Sequence, residues 1–156
     1  MDKEKEYLSE EKLKSLQEEL QYLIGTRRRE VLSSLEYAKS LGDLSENAEY
    51  HGAREAQGRL EERIAKIEHI LKNSVVIGKH VDSGIVDVGS TVSVVRSDTG
   101  SETTYEIVGA EESDTLNGKI SNRSPLGEAI LGKKPGATVS VETPRGVVEY
   151  KIKSVS

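Results

Sequence analysis

Leu41-Gly42-Asp43-Leu44-Ser45-Glu46-Asn47 separates two long runs with helical periodicity, and its reading decides the fold. On its N-terminal side, apolar residues recur at Leu13, Leu16, Leu20 and Leu23, alternately three and four apart. That is the seam spacing of a coiled coil. The pattern slips where Arg27 takes the next seam position, then continues through Val31, Leu35, Ala38 and Leu41. Successive steps of four are a stutter, which locally unwinds a supercoil. On the C-terminal side a second seam reads Ala53, Ala56, Leu60, Ile64, Ile67 and Leu71. Gly42 can take the left-handed conformation that closes a helix, and Asp43 or Ser45 can cap the next one. Ser9 is the expected cap of the first. Two helices joined by so short a link must run antiparallel. From Ser9 to Leu41 the first helix would span roughly 50 Å at 1.5 Å per residue. A two-helix pin of that length does not surround its own core, so it is expected to project into solvent or into a partner, with the link at its far end.

The character of the chain changes near residue 74. Leu, Glu, Lys, Arg and Ala dominate before it, whereas Val, Thr, Ser, Gly and all the Pro residues crowd the remainder. Runs at Ile85–Val88, Thr91–Arg96, Glu102–Val108, Thr138–Glu142 and Val147–Lys153 read as strands. Asp98-Thr99-Gly100 and Pro144-Arg145-Gly146 read as hairpin turns. Pro125–Leu131 reads as a short helix capped by Ser124, opened by Pro125 and closed by Gly132. The expected class is therefore α+β: an antiparallel coiled-coil hairpin over residues 1–76, then a small domain with a twisted antiparallel sheet over 77–156.

Composition narrows the function. The 156 residues are 35% hydrophobic and 31% charged, with six Tyr but no Phe or Trp, a thin stock for a single thick core. Without Cys, disulfides, thiolate metal sites and cysteine nucleophiles are excluded. No apolar run approaches the roughly 20 residues that span a bilayer, and the first residues do not resemble a signal peptide, so a soluble cytoplasmic protein is expected; it is expected to be a monomer. Acidic residues outnumber basic ones by 27 to 22, giving a net charge of −5. Broad electrostatic binding of nucleic acid is disfavoured, and any such work must be local or done through a partner.

The strongest candidate for chemistry is the link. Asp43 and Glu46, three residues apart at a helix start, can point the same way. Oxygen ligands at a tip suit Mg²⁺, which takes one or two carboxylates and leaves its other positions for water and phosphate. Asp-x-x-Glu is equally a capping box, in which the acids satisfy backbone N–H groups. Both readings stand, since each carboxylate has two oxygens. Tyr50, His51 and Arg54 follow within two turns and either position a nucleic-acid end, support the acids or form an ordinary exposed turn. Arg27-Arg28-Arg29 is a compact basic run, read as an RNA or phosphate contact or as a solvated face, because adjacent helical residues point about 100° apart. His69 and His80 have no neighbours that suggest ligation. Gly132-Lys133-Lys134-Pro135-Gly136 lacks the spacing of a P-loop.

Gly42-Asp43-Leu44-Ser45-Glu46-Asn47-Ala48-Glu49-Tyr50-His51 closely resembles the tip motif of the bacterial GreA/GreB family of transcript-cleavage factors. Ile120-Ser121-Asn122-Arg123-Ser124-Pro125-Leu126-Gly127 and Leu131-Gly132-Lys133-Lys134 resemble its C-terminal signature. The resemblance implies an FKBP-like C-terminal domain that docks on the rim of the secondary channel of RNA polymerase through Asn122, Ser124 and Pro125. It implies that the coiled coil enters that channel and that Asp43 and Glu46 help hold a second Mg²⁺ there. Asn47, Tyr50 and Arg54 would support the tip, and the nascent RNA 3′ end of a backtracked complex would be cut so that elongation resumes. On this reading the protein is an activator rather than an independent nuclease. The alternative is a channel-binding inhibitor without cleavage activity. Glu128 and Ser45 depart from frequent Arg and Lys at their positions. The first bears on docking, while the second leaves the acid pair intact.

Overall fold

A computed structural model describes residues 5–78 and 82–156; His80 lies outside the described residues. The order of elements is β1 (Glu6–Ser9), α1 (Glu10–Tyr22), a π-helical turn (Leu23–Arg27), α2 (Arg28–Ser40), α3 (Ala48–Lys72), β2 (Ser74–Ile77), β3 (Thr91–Arg96), β4 (Glu102–Val108), β5 (Lys119–Ser121), α4 (Pro125–Ile130), β6 (Thr138–Thr143) and β7 (Gly146–Val155). This is the expected α+β architecture. The described chain divides into two compact units, Glu11–Ser74 and a second made of Val75–Ser156 together with β1. The division thus differs from a cut after residue 76, because β1 pairs with β2 and belongs to the sheet-bearing unit.

In the helical unit the two arms run antiparallel. Arg63 meets Glu19, Arg28 meets Glu61, and Asn47 meets Ala38, so positions descend along one arm as they rise along the other. The apolar seam is buried at Leu16, Val31, Leu35, Ala38, Ala53, Leu60, Ile64 and Ile67, as the spacing required. The slip at Arg27 has a structural cause: the first arm is not one continuous α-helix but contains the π-helical turn Leu23–Arg27. A π turn takes more residues than an α turn, so it absorbs the surplus of the stutter and leaves Arg27 outside while Val31 returns to the seam. Two seam positions are corrected. Ile70, not Leu71, is buried at the end of α3, and Leu41 is 52% exposed beside the link.

The second unit carries a five-stranded sheet in the order β5-β4-β3-β7-β6. It is antiparallel except for the β4–β5 pair, which is parallel, so the expectation of an antiparallel sheet holds for all but that edge. Alternation drives its face selection: Val92 and Val94 of β3 and Val139 and Val141 of β6 are buried while the intervening residues are not. α4 supplies Ile130 to a core shared with Val92, Val94, Ile107, Ile120 and Ile152. Ser124 caps α4 by accepting the Gly127 N–H at 3.0 Å, Pro125 opens it, and Gly132 leaves it with φ +76°. Ile85–Val88 does not form a strand; Val86 reaches the core through loop hydrogen bonds to Lys133 and Gly132. The sequence pattern does not mark β1, β2 and β5, which are four, four and three residues long with partners distant in sequence.

Candidate functional site

The link between α2 and α3 is built around Asn47. Its Nδ2 donates to the Ala38 carbonyl at 2.7 Å, and its Oδ1 accepts the Tyr50 N–H at 3.0 Å. One side chain therefore satisfies a carbonyl at the end of one helix and an N–H at the start of the next. Gly42, at φ +118°, supplies the left-handed turn out of α2. The expected cap at Asp43 or Ser45 is thus corrected: the cap is Asn47, and α3 begins at Ala48. Asp43 accepts instead from Ser45, from its N–H at 3.0 Å and its hydroxyl at 2.9 Å, both on Oδ1. This is a local turn rather than the reciprocal capping box.

That arrangement leaves carboxylate oxygens available. Asp43 Oδ2 is not engaged by Ser45, and Glu46 makes no hydrogen bond or ion pair among the described residues. Both side chains line one shallow depression with Leu41, Asn47, Ala48 and Glu49. The Ser45 N–H first, and the Ser45 hydroxyl second, hold the Asp43 carboxyl below its usual range, so it stays ionised into mildly acidic solution. No group of three or more His, Asp or Glu side chains among the described residues could enclose a metal ion. Exposed oxygen donors in an incomplete set have the chemistry that would suit Mg²⁺, which takes one or two carboxylates and would need its other ligands from elsewhere.

The other expected residues are placed less uniformly. Tyr50 packs half-buried against the hairpin core and meets His51 edge-on, with ring centroids 5.7 Å apart. His51 reaches back to the Ser45 carbonyl at 3.3 Å, a tie to the tip that the spacing alone had not resolved. Arg54 turns away, donating to Gln57 at 2.9 Å, and is not brought to the acids. The three arginines diverge as adjacent helical residues must: Arg27 to Glu30, Arg28 as a two-point fork to Glu61, and Arg29 to the Gly25 carbonyl. They form no common anion site. In the sheet unit Asn122 is buried and Ser124 is committed to capping, whereas Arg123, Pro125 and Glu128 are exposed on the same loop and first turn of α4. Arg123 stands inside the signature stretch, where the sequence assigns it no role of its own; its place between Asn122 and Ser124 is the available signal.

The candidate site is thus a helical hairpin with exposed acids at its link, joined to a sheet unit whose loop is shaped by Asn122 and Ser124. The chain belongs to the GreA/GreB family: its N-terminal transcription elongation factor model matches residues 6–76, and its C-terminal GreA/GreB model matches residues 80–156. The chain is 45% identical over 152 residues to the protein named transcription elongation factor GreA of Shouchella clausii, covering 97% of this chain and 96% of the relative. It is 47% identical over 146 residues to the protein of the same name from Caldanaerobacter subterraneus, covering 93% of each. Among solved structures it is similar to the GreA factor homolog 1 protein of Thermus thermophilus, with 25% identity, 97% of this chain and 99% of the other covered, and a TM-score of 0.43. No helix among the described residues is long and apolar enough to cross a membrane.

Proposed function

We propose that this protein associates with bacterial RNA polymerase, carries Asp43 and Glu46 through the secondary channel to the polymerase active centre, and stimulates cleavage of the nascent RNA 3′ end in backtracked complexes. One observation carries the reading. The two acids share an exposed depression at the end of the hairpin, and neither is used to cap a helix. Such groups do little for the fold and are free to serve a partner. Asp43 and Glu46 would hold Mg²⁺ jointly with polymerase, where the ion supplies activation of water and stabilisation of the leaving oxygen in phosphodiester hydrolysis. Asp43, kept ionised by Ser45, offers its free oxygen, and Asn47 sets the spacing of the tip by tying both helix ends. The protein supplies ligands and is not itself the nuclease. Docking would use the loop carrying Asn122, Ser124 and Pro125, with Pro125 presented outward and the other two holding its shape.

The test is cleavage of labelled RNA in a stalled, backtracked bacterial polymerase complex with Mg²⁺, at a pH where intrinsic cleavage is slow. Wild type should cleave, while Asp43→Asn and Glu46→Gln should each lose about a hundredfold of the stimulated rate and still compete for polymerase. Wild type that binds polymerase and slows elongation without cleavage would assign the protein to the inhibitory reading instead.

A further inference from the structure

Arg123 lies in the loop between β5 and α4, yet its guanidinium is tied to the beginning of the chain. Nη1 is 3.1 Å from Glu6 Oε1, and Nη2 donates to the Lys5 carbonyl at 2.8 Å. The Glu6 side chain is only 12% exposed, so its charge is largely withdrawn from water and depends on a cationic partner. The strand carrying Glu6 is held by independent contacts. The Tyr7 carbonyl passes so close to Gly109 that a Cβ there would stand 1.8 Å from its oxygen. Ser9 donates its N–H and its hydroxyl to Glu112 at 3.1 and 2.6 Å, and Leu8 is fully buried.

The loop has its own internal bonds. The Ser121 carbonyl accepts from the Ser124 N–H at 3.0 Å and its hydroxyl at 2.6 Å, while the Ser121 hydroxyl accepts the Arg123 N–H at 3.0 Å. The Asn122 N–H donates to the Val108 carbonyl at 2.9 Å. These bonds define the turn from within. The Arg123 side chain braces it from outside, against a segment 117 residues away in sequence.

We propose that β1 is a positioning element for the polymerase-docking loop. Through Glu6 and the Lys5 carbonyl it holds Arg123, and so presents Pro125 and its neighbours in one conformation before polymerase arrives. The inference rests on the reading of that loop as the docking element. A loop ordered in advance loses less freedom on binding, so the brace acts on affinity. It does not act on the chemistry of Asp43 and Glu46, which belong to the other unit.

The experiment titrates factor into backtracked polymerase complexes and separates the half-maximal concentration from the maximal cleavage rate. Glu6→Gln removes the carboxylate, and Gly109→Ala displaces the strand without touching Glu6 or Arg123. Each should raise the half-maximal concentration about tenfold through the lost ordering and leave the maximal rate unchanged. Hydrogen exchange at the Arg123 and Ser124 amides should quicken in both. Arg123→Glu should also weaken binding, and adding Glu6→Arg to it should recover part of the loss, a rescue that general instability does not produce. A wild-type half-maximal concentration in Glu6→Gln and Gly109→Ala would overturn the proposal, as would a fall confined to the maximal rate. Pro125→Ala separates the two readings. If it weakens binding while Glu6→Gln does not, the brace alone is wrong; if it has no effect on binding, the docking assignment falls and the brace with it.

Discussion

The hairpin tip and the loop before α4, the two regions proposed to meet polymerase, are built in opposite ways. At the tip the structural duties fall on Asn47 and Gly42, and the exposed acids carry almost none of them. In the loop the duties fall on the signature residues themselves, since Ser124 caps α4 and Asn122 is buried. Substitutions of Asp43 or Glu46 should therefore report on chemistry with little effect on folding. Substitutions of Asn122 or Ser124 should disturb the fold of the loop along with any docking it does. The acids of the tip can be changed with little cost to the hairpin's own stability, because Asn47 and Gly42 shape the link.

The largest effect that tests this division lies under the tip. Leu60 is 6% exposed in the hairpin core with Val31, Leu35, Ala53 and Ile64. Leu60→Asp places a carboxylate there without a partner and should remove roughly 3–5 kcal/mol, enough to fray both arms. Thermal melts followed by helical circular dichroism should show the loss, and unchanged helicity and melting temperature would mean that the seam is misassigned.

Asn47→Ala comes next. It deletes the cap of α3 and the tie to Ala38 together, and should cost about 1–2 kcal/mol. Stimulated cleavage should fall with it, though by less than in Asp43→Asn, because the acids remain while their spacing loosens. Cleavage abolished as fully as in Asp43→Asn, at unchanged stability, would erase the separation of structural from chemical residues at the tip.

How much of this was legible follows from where each interaction is made. The two seams apart from Leu41 and Leu71, the place of the link and the capped α4 depend on partners within a few residues or on strong periodicity, and the structure carries them. The cap was misplaced because Asp43, Ser45 and Asn47 are all good capping residues. The choice among them is made by the Ala38 carbonyl, which only the assembled hairpin puts within reach of Asn47. The stutter at Arg27 was visible, but whether supercoil unwinding or a π turn absorbs it is a matter of helix geometry rather than of residue type. β1 was invisible for another reason. Glu6-Tyr7-Leu8-Ser9 is too short to announce a strand, and what holds it there are β2, Gly109, Glu112 and Arg123.

Two carboxylates of the hairpin, both held below their usual range, sharpen the comparison at a finer scale. Asp43 is lowered by the Ser45 N–H and then the Ser45 hydroxyl, with no cation contributing. Ser45→Ala keeps the first and loses the second, so the acid limb of the cleavage profile should move to higher pH without a change of melting temperature. An acid limb that stays in place would detach Ser45 from the ionisation of Asp43.

Glu19 is lowered first by its hydrogen bond from Arg63, with the charges of Arg63 and Lys12 adding to it. Its carboxyl is depressed on folding, so the stability it contributes is present above the ordinary carboxylate range and is lost as pH falls through the folded value. The pair is over a third exposed, which limits the contribution to about 1 kcal/mol or less. Glu19→Gln should therefore lower the melting temperature slightly at neutral pH and hardly at all in acid. High salt should shrink that difference by screening the charges, while the acid limb set by Asp43 in a cleavage profile, referred to equal polymerase occupancy, should respond less. Equal salt sensitivity of the two would show that the field of the hairpin, and not Ser45, governs the tip.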